Sequence, residues 1–173
     1  MTMARNIEIK ARMDDRAQVL TRLTPLATSG PTEIAQDDTF FRCTSGRLKL
    51  RDFGDGTGEL IHYHRADEAG PKVSSYVRSP TAEPDTLRQA LTLAHGQIGR
   101  VHKQRTLYLI GRTRVHLDRV VDLGNYLELE VVLADHEADA SGTQEAQDIM
   151  AALGIAPTSL VQGAYLDLLA ARR

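Results

Sequence analysis

The sequence predicts an α+β fold in which about eight antiparallel strands are accompanied by four amphipathic helices. First, apolar and charged residues alternate with period two over several short segments, which is typical of strands with two unlike faces. Second, short turns rich in Gly, Pro and Asp recur between these segments, for example at 54–56 and 69–71, and such spacing favours an antiparallel meander. Third, other stretches carry apolar residues at helical spacing.

The strands are predicted from segments in which polar or charged side chains share one face. In the opening segment, 6–12, the odd positions are apolar and the even positions are polar or charged. The pattern recurs over 47–51, 59–65, 101–105, 114–118 and 126–131. Cations dominate 47–51 and 103–105, whereas carboxylates dominate 128–130. The two signs of charge are therefore segregated between strands.

Helices are predicted over 14–26, 83–95, 143–153 and 158–171. Pro84 favours a helix start, because proline suits the first helical turn. Tyr165, Leu168 and Leu169 are expected to pack the last helix onto the strands.

Length and composition limit the class of protein. The 173 residues predict a single domain over 1–173, and 42% hydrophobic with 25% charged residues is typical of a globular chain. The net charge of -2 argues against a nucleic-acid-binding protein. A single cysteine, Cys43, and the lack of a long apolar run predict a cytoplasmic protein that does not enter a membrane.

Two arrangements of the strands are open from the residues alone. In one, a half-solvated sheet turns its charges to water. In the other, the sheet closes into a barrel with the charges inside and the aliphatic faces covered by helices, and a barrel of about eight strands can hold one small ligand. Segregated cations and carboxylates favour the second arrangement, because cations neutralise phosphate oxygens and carboxylates hold the divalent ion that bridges them.

A series of short motifs carries a family resemblance. The segment NIEIK at 6–10 looks like an ExExK opening strand. Further matches follow in order at 38–41, 46–51, 60–65, 74–76, 103–105, 116–120, 123–130 and 164–169. The chain thus resembles the CYTH superfamily, or triphosphate tunnel metalloenzymes, and is most similar to its class IV adenylyl cyclase-like and thiamine triphosphatase-like branch. The resemblance implies a closed eight-stranded antiparallel barrel whose tunnel binds a triphosphate.

The resemblance also implies a set of site residues. Mg²⁺ or Mn²⁺ would be held by the carboxylates of Glu8, Asp118, Glu128 and Glu130. Phosphate oxygens would be bound by the cations Lys10, Arg12, Lys49, Arg51, Arg65, Lys103, Arg105 and Arg114. Lys10 and Glu130 are the predicted catalytic residues.

Two residues depart from the family pattern. Asn6 stands where the first acidic residue of ExExK is expected, and an amide oxygen binds a divalent ion more weakly than a carboxylate does. Phe40 stands where some hydrolytic members carry a tyrosine that pairs with the motif lysine, so Lys10 lacks that partner. Replacement hydroxyls would come from Tyr63, Tyr76 or Tyr126 if these side chains point inward.

The histidines allow different interpretations. His62 and His64 lie on the face opposite Arg65, which favours exposure at the surface over a metal site. His116 lies on a charged face, where a hydrogen bond to a neighbour and a contact with substrate are equally consistent with the pattern.

Three functions are compatible with these features. We favour divalent-metal-dependent hydrolysis of inorganic tripolyphosphate, a nucleoside triphosphate or thiamine triphosphate, because such hydrolysis is widespread in the family. The alternative is a class IV adenylyl cyclase that converts ATP to cyclic AMP and pyrophosphate. A non-catalytic module that binds a phosphorylated nucleotide is the third, since Asn6 and Phe40 both weaken the catalytic pattern. The expected partner is a small triphosphate or nucleotide, and a homodimer is possible.

Overall fold

A computed structural model describes residues 3–172 and contains eight strands and four α-helices within that range. In chain order, the elements are β1 (Ala4–Arg12), α1 (Arg16–Leu23), β2 (Ser29–Phe41), β3 (Arg47–Asp52), β4 (Gly58–Arg65), β5 (Lys72–Thr81), α2 (Pro84–His95), β6 (Gln97–Ile110), β7 (Thr113–Val120), β8 (Gly124–Val132), α3 (Asp139–Ala152) and α4 (Tyr165–Ala170). Within the described range, no helix has the length and apolar character needed to cross a membrane.

The strands form one closed antiparallel barrel in the order β1-β5-β4-β3-β2-β6-β7-β8. Strand β1 closes it, because β1 pairs with β5 along one edge and with β8 along the other. A closed barrel leaves no strand edge unpaired. The predicted α+β barrel is therefore confirmed, and the open half-solvated sheet is wrong.

The faces of the strands explain why the charged residues lie inside. The aliphatic side chains of β1, β7 and β8, such as Ile9, Leu117 and Leu129, form a buried core with Val19 of α1 and Ala146 of α3. This core lies on the outside of the barrel wall, since side chains alternate between the two faces of a strand. The polar face of each strand consequently points into the barrel.

The first three predicted helices are present with shifted ends. Helix α1 begins at Arg16 because Asp15 caps it, accepting a hydrogen bond from the backbone N–H of Gln18 at 2.9 Å. Helix α3 begins at Asp139, before the predicted start at 143. Gly142 lies within this helix at a point of close approach to the barrel. A Cβ at this position would come within 2.5 Å of the Leu133 side chain. Glycine thus permits close packing of α3 on the barrel.

The predicted helix over 158–171 is confirmed only over its second half, and its first half is wrong. A short 3-10 turn at Pro157–Ser159 is followed by extended chain, and only Tyr165–Ala170 is α-helical. The extended part is tied to β1, because the N–H of Val161 donates to the carbonyl of Lys10 at 2.9 Å. Gly163 then turns the chain with φ of 75°. Residues 160–170, here called the C-terminal plug, cover one end of the barrel rather than pack along its side.

Candidate active site

The barrel encloses a cavity of about 250 Å³ to which all eight strands contribute side chains. The cations that line it are Lys10, Lys49, Arg51, Arg65, Arg78, Lys103, Arg105 and Arg114. The carboxylates that line it are Glu8, Asp38, Glu59, Glu128 and Glu130. The lining formed by residues 3–172 is therefore net cationic, which suits a polyanion.

The two ends of the cavity differ. Ala164 and Tyr165 of the C-terminal plug line one end, and the Tyr165 ring packs edge-on against the buried Tyr126 with centroids 5.2 Å apart. The opposite end is lined by Phe53, Tyr76 and Arg78, and the Arg78 side chain is 50% exposed. The end opposite the plug therefore reaches the surface at Arg78.

Asp38, Lys49 and Arg51 form what we call the first clamp. Arg51 donates from Nε and Nη2 to the two oxygens of Asp38 at 2.8 and 2.9 Å, and Lys49 Nζ donates to Asp38 at 2.7 Å. Burial would raise the pKa of Asp38, but Arg51 and Lys49 hold it well below its usual range. Burial, followed by the charge of Arg51, lowers the pKa of Lys49 to about 7. The Lys49 amine can therefore gain or lose a proton near neutral pH.

Lys103, Arg105 and Asp118 form the second clamp, which repeats this geometry on β6 and β7. Arg105 donates from Nε and Nη2 to the two oxygens of Asp118 at 2.7 and 2.6 Å. Lys103 lies 3.6 Å from Asp118, and the Tyr165 hydroxyl donates to Asp118 at 2.9 Å. The Asp118 side chain is 0% exposed and lies outside the cavity lining. The structure therefore does not group Asp118 with the other predicted metal ligands, since it is not among the side chains that converge at Glu128 and Glu130.

Glu128 and Glu130 project into the cavity beside His116. The ligand atoms of the three side chains lie within 4.8 Å of one another. His116 Nδ1 is 3.6 Å from Glu130 Oε1 and 4.0 Å from Glu128 Oε2. Burial would raise the pKa of Glu128, but Lys10 and Arg105 hold it well below its usual range. Two ionised carboxylates in one cluster fit a divalent cation.

Asn6 offers one further oxygen donor inside the cavity. Asn6 lines the cavity, and its side-chain oxygen is buried without a hydrogen-bond partner in the described part of the chain. Asn6 lies on the same face of β1 as Glu8, and Glu8 is directly opposite Glu130 in the β1–β8 register. The Asn6 oxygen is therefore a candidate neutral ligand.

The remaining predicted residues are divided between the cavity and the surface. Glu8 lines the cavity, and its Oε2 accepts a hydrogen bond from Arg65 Nη1 at 2.7 Å. Arg114 donates to Glu130 at 2.8 Å. Arg12 is exposed, and its guanidinium carbon is 5.8 Å from the centroid of the Tyr126 ring, outside the cavity lining. Arg12 is thus the one predicted phosphate-binding cation, within residues 3–172, that the fold leaves out.

Lys10 has partners that the sequence did not reveal. Its Nζ is 3.1 Å from Glu128 Oε1, donates to the carbonyl of Gly163 at 3.2 Å, and lies 4.1 Å from the centroid of the Tyr165 ring. Of the three tyrosines considered as partners, Tyr63 and Tyr76 line the cavity, whereas Tyr126 does not. Burial raises the pKa of Tyr63, which makes its hydroxyl a poor proton acceptor at neutral pH.

The sequence interpretation did not assign Asp38 and Tyr165 to the site. Asp38 lies directly opposite Arg51 in the β2–β3 register, so the pair depends on which strands are neighbours. The polar parity of Gln36 and Asp38 within β2 could have placed both on the inner face. No local pattern signals Tyr165, because its position depends on the path of the C-terminal plug.

Comparisons with known proteins agree with the fold. A protein of Methanocaldococcus jannaschii named "Putative adenylate cyclase MJ0240" is 25% identical over 170 residues, which cover 94% of this chain and 97% of that protein. The PH1012 protein of Pyrococcus horikoshii OT3 superposes with a TM-score of 0.81 at 20% identity, over 94% of this chain and 98% of its own. HpAC1 of Hippeastrum superposes with a TM-score of 0.59 at 14% identity, over 92% and 91% of the two chains. HpAC1 is described as having a dominant triphosphatase activity.

The family assignment rests on the match of the sequence itself. Residues 4–165 match the CYTH domain, which is most of the chain. The closed barrel and its charged interior are what the motif resemblance implied. The chain is a member of the CYTH domain family.

Proposed function

We propose that this protein hydrolyses a triphosphate inside the barrel in a reaction that depends on a divalent metal ion. The observation that carries the proposal is the size and charge of the cavity. At about 250 Å³, it is smaller than the roughly 300–1,000 Å³ of sites that enclose a drug-sized ligand. A compact polyanion such as tripolyphosphate, or the triphosphate part of a larger molecule, suits a net cationic space of this size.

The two clamps would bind and orient the phosphate chain. Arg51 and Arg105 are each held by two hydrogen bonds to an aspartate, so little side-chain entropy remains to be lost when phosphate binds. Each guanidinium also keeps donors beyond those bonds, since arginine has five N–H groups. Pre-ordered cations of this kind stabilise charge as a P–O bond breaks.

Lys49 is the proposed acceptor for the proton of the attacking water. Its amine lines the cavity and has a pKa lowered to about 7, so it can be unprotonated at neutral pH. Lys10, the predicted catalytic lysine, contacts Glu128 and the plug and is proposed to bind phosphate. Both lysines are paired with a carboxylate, and Lys49 is preferred as the base because its pKa is lowered. Glu130 keeps its predicted catalytic role as a metal ligand.

The carboxylates of Glu128 and Glu130, with Glu8 opposite Glu130, are the residues that would hold Mg²⁺ or Mn²⁺. When bound, the ion would neutralise phosphate oxygens and so favour cleavage. Asn6 contributes no charge, which favours one firmly held ion over two.

Cyclisation of ATP is the second candidate. The name of the Methanocaldococcus relative favours it, as does the open end of the cavity, where Phe53 and Tyr76 could contact a base. Cyclisation, however, requires the ribose 3′-hydroxyl and the α-phosphate within the catalytic space together. Hydrolysis requires only a positioned water at the terminal phosphate, so it is placed first.

Product analysis tests the proposal. The protein is incubated with ATP, tripolyphosphate and thiamine triphosphate, each with Mg²⁺, Mn²⁺ or a chelator, and the products are separated by chromatography. We expect orthophosphate, formed only when metal is present. Cyclic AMP with pyrophosphate would establish the cyclase instead, and binding without any product would favour the non-catalytic module.

A further inference from the structure

We propose that His116 supplies a nitrogen ligand to the divalent ion held by Glu128 and Glu130. The site would consequently prefer a first-row transition ion such as Mn²⁺ or Co²⁺ to Mg²⁺. The inference rests on the metal dependence proposed above, but binding of the ion in the absence of any triphosphate is enough to test it.

The two distances from His116 to the glutamates fit one shared ion. Two donors that each lie about 2.1 Å from an ion can be at most about 4.2 Å apart. His116 Nδ1 is within that limit of both carboxylates, at 3.6 Å from Glu130 and 4.0 Å from Glu128. His116 is also directly opposite Glu128 in the β7–β8 register, so the barrel wall fixes the arrangement.

The fold gives the Nδ1 atom no other partner. The His116 side chain is 5% exposed, and Nδ1 is buried without a hydrogen bond to any residue in 3–172. A buried polar atom that is left unpaired costs free energy and is rare in native proteins. An ion between His116 and the two glutamates would satisfy this atom.

Cations nearby leave room for such an ion. Arg114 binds Oε2 of Glu130, whereas Oε1 is the oxygen closer to His116. Arg105 binds Oε2 of Glu128, but each carboxylate oxygen offers a second acceptor position. Lys10 Nζ lies 3.1 Å from the other oxygen of Glu128, Oε1. The ion can therefore bind at the second acceptor positions without displacing the lysine or either arginine.

The donor chemistry determines the preferred metal. Mg²⁺ is bound through oxygen and retains several waters, whereas imidazole suits the later first-row ions. Affinity for a site that contains nitrogen also rises from Mn²⁺ to Co²⁺. One imidazole added to two carboxylates thus shifts the preference away from Mg²⁺.

Pulsed electron paramagnetic resonance of the Mn²⁺-loaded protein tests the ligand directly. We expect a ¹⁴N hyperfine coupling in the wild type, its loss in His116→Gln, and its retention in the control His95→Gln, because His95 is exposed at the end of α2. Calorimetry should show that His116→Gln weakens Mn²⁺ binding about tenfold or more and Co²⁺ binding further, with less than about threefold change for Mg²⁺.

Three results would overturn the inference. They are bound Mn²⁺ without ¹⁴N coupling in the wild type, an equal loss of Mg²⁺ and Mn²⁺ affinity in His116→Gln, and no ion bound at millimolar concentration. The wild-type spectrum decides by itself if His116→Gln fails to fold. Orthophosphate release is measured separately, so turnover without ¹⁴N coupling rejects only the His116 ligand, whereas coupling without turnover rejects only the hydrolase.

Discussion

The two clamps have the same local chemistry and differ in what surrounds them. In each, an arginine makes two hydrogen bonds to a buried aspartate on the neighbouring strand, and a lysine two residues earlier lies near the same carboxylate. The first clamp, around Asp38, consists of these contacts alone. The second is extended, because Arg105 also bonds to Glu128 and Asp118 accepts a hydrogen bond from Tyr165.

This difference indicates a division of roles. The second clamp links the metal-side carboxylates to the C-terminal plug, so a change there should disturb both stability and the ion site. The first clamp is free of both links, and its lysine has a pKa near neutrality. We therefore assign structural coupling to the second clamp and proton transfer to the first.

The largest expected effect is that of Asp118→Asn on stability. The variant removes the buried carboxylate that Arg105, Lys103 and the Tyr165 hydroxyl share. Arg105 keeps its bond to Glu128, but breaking a buried pair costs about 3–5 kcal/mol. Urea unfolding measures the loss. Asp38→Asn is the matched variant and should cost less, since it does not affect the plug. Equal losses, or a larger loss for Asp38→Asn, would contradict the division of roles.

Lys49→Arg should reduce kcat for tripolyphosphate by about 100-fold, the lower end of the contribution of general-base catalysis. The pKa of Lys49 is lowered to about 7, so in the wild type the rate should rise as pH increases through 7 and the amine loses its proton. Arginine stays charged and cannot accept a proton, and the rise should disappear. Lys103→Arg is the control and should keep it. If the pH profile of Lys49→Arg is unchanged, a group other than Lys49 is the base.

Tyr165→Phe should destabilise the protein by about 1.5 kcal/mol, because it removes a hydrogen bond to a charged group. Tyr126→Phe is a close control, since the two rings pack together and the Tyr126 hydroxyl is buried without a partner in the described chain. Removal of the Tyr126 hydroxyl should leave the free energy of unfolding unchanged or raise it slightly. Thermal unfolding of both variants measures the difference, and a reversed order would remove the proposed link between plug and clamp.

Arg12→Ala should have the smallest effect. Arg12 is exposed and lies outside the cavity, and an exposed substitution of this kind changes free energies by at most about 0.5 kcal/mol. The KM for tripolyphosphate should therefore change by no more than about twofold. A tenfold increase in this KM would show that Arg12 contributes to phosphate binding.

The faces of the strands could be predicted from sequence, whereas their pairings could not. In β1, period-two alternation places Glu8 and Lys10 on one face, and the family resemblance implies that this face is the inner one. The role of Asp118 depends on Arg105 lying directly opposite it, and such register is set by long-range pairing. The apolar residues of 158–171 have helical spacing, which predicts one helix, but Gly163 turns the chain before Tyr165.

The central claim is that the protein hydrolyses a triphosphate by means of a metal ion held at Glu128 and Glu130. The most direct test is orthophosphate release from tripolyphosphate by the wild type and by Glu130→Gln in the same metal-containing buffer, with triphosphate binding followed by calorimetry. We predict metal-dependent release by the wild type and at least a ~100-fold lower rate in Glu130→Gln, which removes a metal ligand, with tripolyphosphate still bound. No release by the wild type, or an undiminished rate in Glu130→Gln, would contradict the account.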